Sequence, residues 1–114
     1  MAKISKKYRL TDDCLTYKGK TLYRIMALKN FGEVHKGEFG GYIESEGNLS
    51  QEGNAWVWDN AKVYGNARVC GNASVTGRAE VYGHARIYDN VKVYDFARVY
   101  GHARIYGYSK VADY

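Results

Sequence analysis

From position 57 onward a branched aliphatic residue returns at every sixth place: Val57, Val63, Val69, Val75, Val81, Ile87, Val93, Val99, Ile105 and Val111. Two places before each stands a small or aliphatic residue, from Ala55 and Ala61 through Val91 to Ser109, and the same slot reaches back to Ile43 and Leu49. Polar and aromatic residues fill the places between. In Ala61-Lys62-Val63-Tyr64 the first and third side chains point one way and the second and fourth the other, which is the alternation of a strand. An exact period of six cannot keep one face on a 3.6-residue helical turn. Gly or Asp recurs at every sixth position from Gly41 to Asp113, and these residues tolerate the backbone of a corner.

The order of small before large never reverses, so the units cannot pair as hairpins. A chain that bends always in the same sense becomes a coil. If three units close one triangular coil, residues i and i+18 stack as parallel strands about 4.8 Å apart. The branched residues then fill the interior, and the small ones fit where the corner leaves less room.

The hexapeptides VYGNAR, VCGNAS and VYGHAR resemble the hexapeptide-repeat family. The resemblance implies an all-β fold, a left-handed parallel β-helix of about four triangular coils over residues 41–114. Residues 1–40 lack the repeat and are expected to form an N-terminal cap of the same domain. In CLTYKGKTLYRIMAL, apolar residues flank Lys18-Gly19-Lys20, so this cap starts as a β-hairpin, followed by a glycine-punctuated loop. A cap is needed because the end of a β-helix exposes unpaired backbone and an open apolar interior. The segments YRLT, LYRI, GEFGGYIESEGNLS and GNAWV also resemble the opening of small hexapeptide proteins carried by bacteriophages and prophages.

Charge changes the picture in one respect. The chain of 114 residues carries +5, all of it in residues 1–40, with nine Lys/Arg against four Asp/Glu; residues 41–114 hold eight of each. A protein that tracks nucleic acid carries its basic stripe over most of its length, so this balance argues against nucleic acid as the partner. The two cysteines, Cys14 and Cys70, have no CxxC spacing and read as free thiols of a reducing compartment. No apolar run approaches a membrane span, and no secretory signal is recognised, so the expected location is the cytoplasm, that of the host if the protein is viral. The repeat runs in register to Val111 with no cap recognised after it, which points to a homo-oligomer, a trimer or an end-to-end assembly.

Stacked at eighteen, the outward residues fall into columns. Tyr64, Tyr82 and Tyr100 form one, Arg68, Arg86 and Arg104 another, with Tyr88 and Tyr106 beside the arginines. Arginine next to tyrosine suits a planar anion such as a small nucleotide, or an acidic loop of a host protein. The same residues also serve a plain purpose, since tyrosine covers a sheet face and charge keeps it soluble, and they suit contacts between subunits. Trp56 and Trp58 point outward in one strand, where they either rest under the cap or form an interface.

Many hexapeptide proteins transfer acyl groups from a thioester cofactor, using a histidine as general base. The stacked corner residues His84 and His102 are the candidates, with Asn66 and Asn48 before them in the column. No carboxylate to orient them is apparent, no third ligand completes a metal site, and no loop interrupts the coils to shape an acceptor pocket. The reading is therefore a non-enzymatic oligomeric binding protein with no cofactor or metal, resembling a phage accessory protein that meets a host-defence protein or nucleotide signal. An acyltransferase and a purely structural assembly protein stand as alternatives.

Overall fold

The computed structural model describes residues 6–112, so Asp113, the last of the corner positions, lies outside the described residues. A long hairpin comes first, with β1 (Tyr8–Tyr17) and β2 (Lys20–Ala27) paired antiparallel. Its turn is Lys18-Gly19, both at positive φ (51° and 80°), and Lys20 already belongs to β2. Then follow β3 (Phe39–Ile43) and a 3-10 turn at Glu46–Asn48. Ten two-residue strands come next, six residues apart: β4 (Trp56–Val57), β5 (Lys62–Val63), β6 (Arg68–Val69), β7 (Ser74–Val75), β8 (Glu80–Val81), β9 (Arg86–Ile87), β10 (Lys92–Val93), β11 (Arg98–Val99), β12 (Arg104–Ile105) and β13 (Lys110–Val111).

These strands stack into three parallel sheets, one per face of a prism. The first face has the order β3-β5-β8-β11, the second β6-β9-β12, and the third β4-β7-β10-β13. Registers are i to i+18 from β4 onward, as in Val63 with Val81 and Val81 with Val99. Strand β3 instead meets β5 at i to i+20, so Ile43 lies beside Val63 and Leu49 beside Val69, in the column of branched residues and not in the small slot the repeat assigned them. The chain is therefore a parallel β-helix of about four coils. Inside it, the column of Val and Ile and the column of Ala form one continuous core, fully buried from Ala55 to Val93.

The corners are closed by the backbone itself. The N–H of Ala61, Ala67, Ala73 and Ala79 each donates to the carbonyl three residues earlier. The first corner residue has positive φ at Gly53, Asp59, Gly65, Gly71, Gly77, Gly83, Asp89, Asp95, Gly101 and Gly107. Gly41 and Gly47 keep the sequence rule without this conformation. At Gly41 the reason is space: a Cβ would lie 2.6 Å from the Ala61 carbonyl oxygen and 2.7 Å from Val57 Cγ1.

The hairpin is not a lid set apart from the coils. Strand β2 pairs antiparallel with β3, which pairs parallel with β5, so the first sheet runs unbroken from cap to helix. Arg24 on β2 fastens this junction. Its guanidinium donates to Asp13 Oδ2 (3.0 Å), the Gly40 carbonyl (2.8 Å) and the Tyr42 hydroxyl (2.8 Å). At the N-terminal end of the prism, Lys7 is buried and its ammonium donates to the Ala55 carbonyl at 2.7 Å. Burial, with Lys29 nearby, lowers its pKa to about 8. The Tyr8 hydroxyl donates to the Leu49 carbonyl, and buried Asn48 donates to the carbonyls of Gly65 and Ala67. Backbone groups that a free β-helix end would leave unpaired are thus met by side chains.

Two kinds of glycine separate in a denaturation experiment. Gly41→Ala forces a methyl into backbone and should cost about 2–3 kcal/mol. Gly101 has φ 68° and open space around its missing Cβ, and Gly101→Asn should cost no more than about 1 kcal/mol, since Asp59, Asp89 and Asp95 already adopt that conformation. Equal losses from the two would mean that the corner backbone, not the packing of the first coil, sets the demand for glycine.

Candidate functional site

The second face carries the arginine column. Because β6, β9 and β12 are in register, Arg68 stands over Arg86 and Arg86 over Arg104, all three exposed. None makes an ion pair or a side-chain hydrogen bond among the described residues. The nearest corner carboxylate along the chain, Asp89, accepts the Gly107 N–H at 2.9 Å instead. Tyr88 and Tyr106 stack beside the arginines with ring centres 5.4 Å apart and planes 13° apart. Arg68, Cys70, Arg86, Tyr88 and Arg104 line a shallow groove of about 340 Å³. Adjacent unit charges at rung spacing repel by up to about 1 kcal/mol in water, so an anion laid along this groove relieves repulsion while gaining planar hydrogen bonds.

The tyrosine column on the first face is real but mostly covered. Tyr64 and Tyr82 stack at 5.1 Å and Tyr82 and Tyr100 at 5.4 Å. The tip of the hairpin lies across the top of this column, with Tyr17 edge-on to Tyr64 at 5.9 Å and Leu22 buried beside it. Tyr64 is buried and Tyr82 half-buried, which removes Tyr64 from the surface expected to meet a partner; Tyr100, 59 % exposed, stays available.

Of the two places open to the outward tryptophans, under the cap or at an interface, Trp56 takes the first. Trp56 is 1 % exposed, enclosed by Phe31 at 5.2 Å and Tyr8 at 6.1 Å, both edge-on. Gly40 makes room for it, since a Cβ there would lie 2.8 Å from Trp56 Cε2. Trp56 thus belongs to the cap contact and offers no interface, while Trp58 is half-buried.

His84 and His102 stack face to face, 4.9 Å between ring centres and 5° between planes, and both are exposed. No hydrogen bond orients either ring among the described residues; the one imidazole with a carboxylate is His35, whose Nδ1 lies 3.1 Å from Glu38 Oε1 in the cap. No group of three or more His, Cys, Asp or Glu among the described residues could hold a metal ion. Cys14 and Cys70 are free thiols. No helix of the described residues is long and apolar enough to cross a membrane.

Sequence reasoning missed Glu80, the hub of the hairpin contact. It is buried, accepts hydrogen bonds from the hydroxyls of Tyr17 (2.7 Å) and Tyr64 (2.9 Å), and lies 3.9 Å from the Lys18 ammonium. Burial alone would push its pKa up. The two phenols, Lys18 and Arg98 together outweigh that and hold it below the ordinary value. Conversely, the hydrogen bond to Glu80 and then burial raise Tyr17, while burial and then Glu80 raise Tyr64. The repeat does carry a signal for Glu80: every other outward residue at its place in strands β5 to β13 is Lys, Arg or Ser.

The family model described as YdcK beta solenoid repeat matches residues 61–77 and 97–111, two stretches of the coils. The chain is thus similar to a repeat β-helix family, in agreement with the fold. No curated protein matches it.

Hairpin docking should respond to pH on both sides. The lowered pKa of Glu80 contributes stability that is complete above about 4.5 and is lost as pH falls through its folded value. The raised pKa values of Tyr17 and Tyr64 contribute stability present below 10.0 and lost as pH climbs through theirs. Amide exchange at residues 15–20 should therefore be slowest between these limits, and Glu80→Gln should remove the acid limb. Exchange there that ignores pH, after correction for the intrinsic rate, would show that Glu80 does not hold the hairpin.

Proposed function

We propose that this protein works by binding and not by catalysis: an oligomer whose arginine face receives an acidic surface of a partner protein or the phosphates of a small nucleotide. The observation that carries this reading is the column Arg68, Arg86 and Arg104, exposed, in register and without a carboxylate partner among the described residues. Tyr88 and Tyr106 beside it supply flat faces for a ring or a peptide bond. Exposed aromatics on the later coils, Tyr100 and Tyr108, supply the surface through which copies of the chain join. The resemblance to phage hexapeptide proteins suggests the setting: the cytoplasm of a bacterial host, with a defence protein or its nucleotide signal as target.

Immobilised protein passed through host lysate tests this. Wild type should retain an acidic protein or a nucleotide, retention should weaken as salt rises, and R86A/R104A should lose at least about tenfold. Equal retention by wild type and R86A/R104A would remove the arginine face from the function. Consumption of an acyl-thioester that disappears in H84A/H102A would replace binding with acyl transfer.

A further inference from the structure

A second concavity lies on the opposite side of the first face, at the corner joining it to the third. The residue after each corner Gly or Asp is Asn at 48, 54, 60, 66, 72 and 90, so asparagine is what the coil accepts by default. The column that starts at Asn60 departs from that default twice in succession, with Arg78 one coil on and Phe96 one coil further. The Arg78 N–H donates to the Asp95 carbonyl at 2.8 Å, which is the ordinary coil-to-coil bond, so backbone register brings the two departures together. The Arg78 guanidinium lies 5.8 Å from the Phe96 ring centre, and Phe96 is 58 % exposed.

Arg78 and Phe96 line a pocket of about 400 Å³ with Asn60, Lys62, Glu80 and, from the hairpin, Leu15. Lys62 and Arg78 have no carboxylate within ion-pair distance among the described residues. Glu80, the acidic member, is already engaged by Tyr17, Tyr64 and Lys18. Asp59, at the same corner, accepts the Gly77 N–H at 3.1 Å. The pocket therefore presents two cations without a carboxylate, Lys62 donating to the Asn60 carbonyl at 3.4 Å with the Tyr17 ring 4.9 Å away, beside an aromatic face and an aliphatic wall.

The geometry points to a binding site for a small aromatic anion: Lys62 and Arg78 hold its phosphate or carboxylate, and its ring lies between Phe96 and Leu15. A bare anion gains the cations but leaves the apolar walls wet, and a neutral ring leaves the cations unpaired. Both halves are needed for binding to exceed that of any surface lysine. This site is independent of the arginine face, which belongs to a different sheet.

Ligand titrations followed by NMR, with AMP and phenyl phosphate as probes and adenosine and ribose 5-phosphate as their halves, test it. Both probes should shift the Phe96 ring and bind at least about tenfold more tightly than either half. R78N/F96N restores the default corner residue, so it should fold as wild type, yet bind both probes about tenfold more weakly when binding is read at the Leu15 methyls. R86A/R104A should leave the Phe96 shifts, and the affinity they report, unchanged. The site is overturned if neither probe shifts Phe96, or if R78N/F96N binds as wild type. Loss of the Phe96 shift in R86A/R104A instead would also overturn it and would assign the anion to the arginine face.

Discussion

Every column of side chains in this protein depends on one set of hydrogen bonds, those from the N–H of one coil to the carbonyl of the next. Trp56 donates to Ala73, Lys62 to Ala79 and Arg68 to Ala85, the same step each time, and this fixes residue i beside residue i+18. A slip of one residue would turn the Val and Ala columns outward and bring Lys and Tyr inward. Each buried Val contributes roughly 1.5–3 kcal/mol, so a slipped register loses several such contributions per coil. The stack behaves as a one-dimensional array, each coil held by its neighbours. Its first coil therefore needs a substitute neighbour, which β2, Lys7, Tyr8 and Asn48 supply.

The same register stacks like charges, and the faces deal with that differently. On the first face Glu80 interrupts the series Lys62 and Arg98, and the hairpin closes over it. On the second face nothing acidic interrupts Arg68, Arg86 and Arg104. Repulsion of up to about 1 kcal/mol per pair in water is small beside the burial of the Val or Ile that follows each arginine. The fold can thus carry the arginines without an acidic side chain to pair them among the described residues.

Period six makes the coils, the corners and the columns legible in the amino-acid order alone, because each follows from bonds between residues that the repeat itself relates. By that order Gly41 is one more corner glycine. Its crowding against Ala61 and Val57 is invisible there, since it arises where the first coil meets the next. Trp56 and Tyr64 sit at outward positions of their strands, which the alternation alone assigns to solvent. They are buried because the hairpin and the loop after it pack on the outside of the prism, a contact between segments with no shared period. Glu80 is the other half of that contact, and its sign, alone among its equivalents, is the trace the docking leaves in the sequence.

A repeat carries its own comparison, and this sharpens what counts as a signal. His84 and His102 depart from the default Asn and stack neatly, but the neatness comes from register, which would align any two residues eighteen apart. Order within a column is therefore weak evidence of chemistry. Glu80 differs because its departure meets a group from outside the repeat, the Tyr17 hydroxyl, and that meeting explains it. Arg78 and Phe96 share the second feature, since they converge with Leu15 of the hairpin, and lack the explanation. Among the described residues no carboxylate pairs with Arg78, and Phe96, touched by Arg78 alone of the cations, stays 58 % exposed. A departure that the fold neither requires nor satisfies, placed against a wall the repeat did not build, is the feature that separates a binding site from decoration on a solenoid.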